Sequence, residues 1–189
     1  MRRRTVLLSM AATLLGACGY GEAPAGAAGT RTLIVYYSWS GNTRAAAERI
    51  RELTGGTAEE IRPVKPYPED YAACVELAKG ECRTEATPAI AALEADPADY
   101  DVIFVGSPNW WGTVAPPVRT FLKQYDLSGK TVIPFFTHGG GGLQRCEATV
   151  RGLCPSSELR KAGAFPGSRI GTSGGAIAEW VGQVTGGAR

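Results

Sequence analysis

Histidine occurs once in the 189 residues, at His138, and no Cys-x-x-Cys or Cys/His spacing accompanies it. Zinc-type centres are thereby excluded as organising features. No Ser-His-Asp arrangement stands out for nucleophilic catalysis either. Strong charge of one sign is also missing: 20 basic residues face 18 acidic ones, so a basic nucleic-acid surface is not indicated. The apolar run near the start, Val6 to Leu15, is too short to span a bilayer. Apolar and glycine content are those of a globular chain, and the length suits one domain plus an extension.

What is present begins with that extension. Met1-Arg2-Arg3-Arg4, the apolar run and then Leu15-Gly16-Ala17-Cys18 form the pattern of a secretory signal peptide over residues 1–17. The small-residue pair before Cys18 resembles a bacterial lipobox, which implies cleavage before Cys18 and its lipidation; a signal cut nearby without lipidation is the alternative. Arg3-Arg4-Thr5-Val6-Leu7 also resembles a twin-arginine export signal, and general secretion fits equally well. Residues 18–30 are rich in glycine and alanine and read as a flexible tether. The expected location is the bacterial cell envelope, with membrane contact through the lipid only. Removing residues 1–17 takes away three arginines and no acid, leaving 17 basic against 18 acidic residues, or −1.

The domain expected over 31–187 is organised around Leu33 to Thr43. Leu33-Ile34-Val35-Tyr36-Tyr37 is an apolar, β-rich run that reads as a buried strand. Ser38, Trp39, Ser40, Gly41, Asn42 and Thr43 form a loop of hydroxyls and turn formers, and a helix follows from Arg44. A loop between a strand and a helix gathers backbone N–H groups and the positive end of the helix dipole at one spot. Gly41 permits close backbone approach. No Gly-Lys-Ser/Thr closes this loop, it is not Gly-x-Gly-x-x-Gly, and no metal ligand is near, so a monophosphate held by neutral donors fits better than a nucleoside triphosphate with magnesium. Taken alone, the loop also reads as a capped helix start with Thr43 as N-cap.

Downstream, strand and helix alternate. A polar strand, Thr57 to Pro63, suits a sheet edge. A helix beginning at Tyr67-Pro68 runs to about Lys79. Asp101 to Gly106 reads as a central parallel strand buried on both faces, followed by the loop Ser107 to Thr113 with Pro108, Asn109, Trp110, Trp111 and Gly112. A proline-led helix follows. The strand Lys130 to Thr137 leads into His138-Gly139-Gly140-Gly141-Gly142. A helix over 143–151, a weak strand over 159–165 and a closing helix with Ile177, Trp180, Val181 and Val184 complete the chain. Such alternation predicts an α/β three-layer sandwich on a parallel sheet. Its ligand is expected beyond the carboxyl ends of the strands, where loops 38–43, 107–113 and 137–142 would converge.

The loop Ser38-Trp39-Ser40-Gly41-Asn42-Thr43 resembles the phosphate loop of flavodoxins. The stretch Ser107 to Leu122 is close to a lipoprotein-associated flavodoxin branch, and Thr137-His138-Gly139-Gly140-Gly141-Gly142 fits the same branch. It is similar also to flavin-dependent NAD(P)H:quinone oxidoreductases. The resemblance covers about residues 31 to 185. It implies a flavodoxin-like five-stranded parallel sheet of order 2-1-3-4-5 and non-covalent FMN. It places the phosphate on Ser38, Ser40, Gly41, Asn42 and Thr43, and the ring against Pro108 to Gly112 and Thr137, His138, Gly139 and Gly140. One tryptophan is expected in the core, and Trp111 is assigned to the ring by resemblance. His138, the one histidine, stays a candidate beside the ring's reactive edge.

The mature chain is near neutral, unlike the strongly acidic electron-carrier flavodoxins, and it lacks their usual tyrosine stacking loop. Three functions therefore stay open: an FMN electron carrier working with a protein partner, an FMN-dependent NAD(P)H:quinone reductase, and a binding module that lost its flavin. Cys74, Cys82, Cys146 and Cys154 are even in number, which outside the cytosol permits disulfides. The local pairs 74–82 and 146–154 are favoured, provided that Gly80 breaks one helix and Gly152 with Pro155 turns the other. Eight residues of continuous helix rise about 12 Å, too far for a disulfide. Three connectivities remain possible. Cys146 follows the glycine loop closely, so a redox pair is the alternative to structural bonds.

Overall fold

The computed structural model describes residues 29–186; the signal peptide, Cys18 and most of the tether lie outside them. The sheet is built from β1 (Thr32–Tyr36), β2 (Thr57–Glu60), β3 (Val102–Trp110), β5 (Thr131–His138), β6 (Glu158–Leu159) and β7 (Gly163–Pro166), with β4 (Thr113–Val114) hairpinned onto β3. The order is β2-β1-β3-β5-β6, and β7 also pairs with β5. Both β6 and β7 run parallel to β5, so they are two pieces of one fifth strand. Without the hairpin strand, the parallel order is 2-1-3-4-5, as the resemblance to flavodoxins implies.

Side chains of a strand alternate between faces, and the central strands use this to fill two cores. Leu33, Val35, Ile103, Val105, Val132 and Phe136 enter one cluster. Ile34, Tyr36, Phe104, Ile133 and Phe135 enter the other. Helices α1 (Asn42–Thr54) and α5 (Gly174–Thr185) cover the second cluster with Ala46, Ala47, Ile50, Ile177, Trp180, Val181 and Val184. Helices α2 (Tyr71–Arg83), α3 (Pro116–Gln124) and α4 (Cys146–Leu153) cover the first with Cys74, Val118, Phe121, Leu122 and Val150. Gly106 stands where β3 crosses most tightly: a Cβ there would lie 2.3 Å from Phe135 Cζ and 2.7 Å from Tyr36 Cβ. Among the described residues no helix is long and apolar enough to cross a membrane.

The cysteines correct the expectation of local disulfides. All four are free thiols. Helix α2 does not break at Gly80: the Gly80 carbonyl accepts from both the backbone N–H (3.1 Å) and the hydroxyl (3.0 Å) of Thr84. Cys74 and Cys82 therefore sit eight residues apart on one helix. Helix α4 likewise runs from Cys146 to Leu153, and Cys154 caps it by donating its N–H to Val150 O. Both separations are about 12 Å of rise, beyond disulfide reach. Burial pushes the Cys82 and Cys154 thiols up to about 11 and Cys146 up to about 12. Such thiols stay protonated and are poor nucleophiles, which argues against a thiol redox pair.

Candidate functional site

The loop after β1 is arranged for an anion. Gly41 takes a left-handed conformation (φ 86°) at the N-cap of α1 and offers no side-chain cap. The N–H groups of the first helical turn are thus left for another acceptor. Thr43 is not the cap. It lies inside the first turn, 1 % exposed, and its hydroxyl shares a 2.8 Å hydrogen bond with that of Thr137, which ties the first loop to the end of β5. Ser38 is buried at 8 % exposure, and its Oγ has no hydrogen-bond partner among the described residues. Ser40 is exposed. Asn42 packs its amide against Gly167, where a Cβ would come within 2.7 Å of Nδ2. The nearest cation in sequence, Arg44, is engaged by Glu60 at 2.7 and 2.9 Å. The donors of the loop are neutral ones.

The second loop differs from its sequence reading. Strand β3 does not end at Gly106 but continues through Ser107, Pro108 and Asn109 to Trp110, then turns back as β4. Trp111 (φ 53°) and Gly112 (φ 82°) make the turn. Trp111 pays for its position with a left-handed backbone that a bulky residue seldom adopts. Asn109 holds the turn by accepting from Gly112 N–H at 3.0 Å. It also joins the hairpin to the glycine loop by donating to Gly142 O at 2.7 Å and Gln144 Oε1 at 3.2 Å. The two tryptophans part ways. Trp110 packs edge-on against Tyr37 and Tyr67, at 5.5 and 5.0 Å between ring centroids. Trp111 is 50 % exposed, with Lys79 Nζ 5.3 Å from its ring centroid.

The glycine loop is less bare than it reads. Gln144, itself at φ 44°, lays its amide over it: a Cβ on Gly141 would lie 3.2 Å from Nε2, and one on Gly112 3.1 Å from Oε1. His138 accepts at Nδ1 from Gly140 N–H, 3.1 Å away, so the proton of its neutral ring resides on Nε2.

These loops enclose a cavity of about 740 Å³, within the range of small-molecule sites. Trp39, Asn109, Trp110, Trp111, Gly112, His138 and Gly139 line it. Ser38, Ser40, Gly41, Asn42, Thr43, Pro108, Thr137 and Gly140 are not in that wall; they form the loop beside it and the ends of the strands. The remaining wall went unnoticed in the sequence: Tyr71, Cys74, Val75 and Ala78 of α2, with Gly141, Gln144 and Arg145. The spacing 71, 74, 75, 78 is one helix face, which by pattern alone is indistinguishable from a core face. Helix α2 is pinned there by Trp39, whose Nε1 donates to Pro68 O at 3.0 Å, and by the Tyr67 hydroxyl, which donates to the Glu81 carboxylate. Among the described residues no cluster suited to a metal is present.

Comparison with known proteins agrees with this geometry. A family model described as flavodoxin matches residues 31–184. A curated NAD(P)H dehydrogenase (quinone) of Cupriavidus metallidurans is 34% identical over 98 residues, which cover 50% of this chain and 46% of that enzyme. The match thus spans about half the length of the curated relative. A candidate flavoprotein of Bacteroides eggerthii has a similar structure, with 27% identity, TM-score 0.73 and coverage of 83% of this chain and 99% of the other. A flavoprotein of Lactobacillus acidophilus solved in complex with FMN shares 27% identity at TM-score 0.61, covering 76% of this chain and 98% of that one.

Proposed function

The chain belongs to the flavodoxin family, and from that premise we propose that it binds FMN non-covalently and passes electrons through it, as an exported, lipid-tethered protein of the bacterial envelope. One observation carries the cofactor: the buried Ser38 Oγ without a protein partner, beside a helix start without a side-chain cap. A buried hydroxyl left unpaired is costly, and a phosphate oxygen is an acceptor it can satisfy. The relative solved with FMN agrees with that choice.

In this reading the hydroxyls of Ser38, Ser40 and Thr43 and the N–H groups around Gly41 and Asn42 hold the phosphate. Thr43 keeps the loop in register through Thr137. Trp111 and Trp39 supply the aromatic wall, and the 139–141 backbone supplies N–H dipoles to the planar ring. His138 holds a proton at Nε2 in the same wall. Bound FMN supplies one- or two-electron chemistry at its isoalloxazine. Helix α2 and the hairpin restrict water on the side they cover. Lipid at Cys18 would confine the domain to a membrane surface, where a quinone or a partner protein is within reach.

Two forms of this activity are distinguished by partner. The half-length similarity to a quinone dehydrogenase favours NAD(P)H and quinone as small substrates over a dedicated protein partner. An absorption spectrum of the full chain supplied with FMN tests the cofactor: flavin bands retained after gel filtration, and lost in the Ser40→Ala/Thr43→Ala variant, are expected. A chain that remains colourless at saturating FMN would leave only a binding module on this fold. Steady-state oxidation of NAD(P)H, with and without a quinone, then separates reductase from carrier.

A further inference from the structure

A second recess, of about 460 Å³, adjoins the flavin cavity and shares Arg145 with it. Arg83 and Glu85 at the end of α2, Thr113 of β4, Arg119 of α3 and Thr149 of α4 contribute to its wall. Three arginines therefore face one carboxylate. Arg119 is the unusual one, because its side chain is only 5 % exposed. A guanidinium offers five N–H donors. Here Nη2 donates to Thr113 Oγ1 at a long 3.3 Å. Nη1 lies 3.7 Å from Glu85 Oε1, which is an ion pair but too long for a hydrogen bond. Glu85 is 70 % exposed in its side chain and sits in a left-handed backbone (φ 54°). A buried cation with one solvated, distant counter-charge is poorly compensated. Thr149 donates its hydroxyl to Arg145 O at 3.0 Å, so Thr113 is the donor in its 3.0 Å pair with Thr149, and the free donors of the recess are those of the arginines.

We propose that this recess binds the diphosphate of a reduced nicotinamide dinucleotide whose reactive end enters the flavin cavity; the assignment rests on the reductase form of the function above. Paired Arg forks match phosphate oxygens. Arg145 lines both cavities, so an extended anion with its diphosphate in the recess would run past Arg145 to reach the flavin cavity. Glu85, being exposed, is free to swing aside when a stronger acceptor arrives.

The test is calorimetric titration of the full, FMN-loaded chain with inorganic pyrophosphate, in buffer free of phosphate and sulfate. Loss of one charge-assisted contact weakens such binding about tenfold or more. Arg83→Gln and Arg119→Lys are each expected to raise the pyrophosphate Kd by about that factor, with FMN affinity unchanged. The KM for NADPH should rise comparably. Arg83 is exposed, so Arg83→Gln keeps the test decisive if Arg119→Lys melts early. Pyrophosphate that does not bind, or binds Arg83→Gln as well as the parent, overturns the proposal; so does an unchanged KM for NADPH. If FMN does not load, the titration is run on the flavin-free chain. Binding lost in Thr43→Ala but kept in Arg83→Gln then places the anion in the 38–43 loop and refutes the recess. Binding lost in Arg83→Gln supports it even though the flavin assignment has failed.

Discussion

Substituting Ser38→Ala should move apoprotein stability and FMN affinity in opposite directions. In the flavin-free chain the Ser38 Oγ is buried and unpaired, a state that costs about 1–3 kcal/mol. Alanine removes the oxygen and leaves a void no larger than that atom, so the apoprotein gains about 1 kcal/mol. With FMN the same hydroxyl would donate to a phosphate, and hydrogen bonds to charged groups contribute about 1.5–3 kcal/mol. Its loss weakens binding roughly 10- to 100-fold. At an FMN concentration 100 times the parent Kd, flavin stabilises the parent by about 2.7 kcal/mol, and a variant tenfold weaker by about 1.4 kcal/mol. The variant should therefore be the more stable protein by about 1 kcal/mol without flavin and lose all of that advantage with it, because flavin then stabilises it by about 1.3 kcal/mol less than the parent. Urea unfolding at zero and saturating FMN, with quenching of FMN fluorescence for the Kd, measures both. An FMN Kd within twofold of the parent, or an apoprotein weaker by 1 kcal/mol, would refute the assignment of Ser38 to the phosphate.

Other expectations follow from the same contacts. Gly106→Ala places a Cβ 2.3 Å from Phe135 Cζ; overpacking of this kind costs about 1–3 kcal/mol, to be read as a lower thermal midpoint. Thr43→Val breaks the buried 2.8 Å bond to Thr137 and should destabilise the apoprotein by about 1–3 kcal/mol in urea unfolding, in contrast to Ser38→Ala. Trp111→Ala, at a half-exposed position, should change stability by less than about 0.5 kcal/mol while weakening FMN by roughly 2- to 10-fold through lost aromatic contact; fluorescence titration distinguishes the two effects. The buried Cys146 thiol, raised from 9.0 to about 12, keeps its proton where the unfolded chain loses it. Its contribution is therefore complete below about pH 9 and declines as pH rises toward 12, by about 1.4 kcal/mol per pH unit. Between pH 8 and pH 10 the parent should lose about 1 kcal/mol more than Cys146→Ala, as measured by urea midpoints; equal losses would show that this thiol titrates normally.

Much of the molecule was legible in one dimension because the relevant interactions are short-range or periodic. The continuous apolar runs at 33–37, 102–106 and 131–137 state that both faces of the sheet are covered, since period 2 assigns successive side chains to two opposite cores. The Ser38 to Thr43 loop is legible for a similar reason: turn residues and hydroxyls between a strand and a helix define an anion cradle locally. What lay beyond the sequence depends on contacts between distant segments. The hydroxyl of Thr43 bonds a residue 94 positions away instead of capping its own helix. Strand β3 runs on past Gly106 because β4 returns to pair with Asn109 and Trp110. Whether Gly80 breaks α2 is decided by the cap at Thr84 and the packing around it, so the cysteine pairs that looked close in number are far apart in space. The face 71, 74, 75, 78 has a core-like pattern, and only docking of α2 over the hairpin turns it into a cavity wall. The sequence alone determined the layers and the kind of ligand its first loop suits, while the strand order came from its resemblance to flavodoxins. The tertiary structure decided which side chains meet, because burial and hydrogen-bond partners arise from segments whose separation along the chain carries no trace of their proximity.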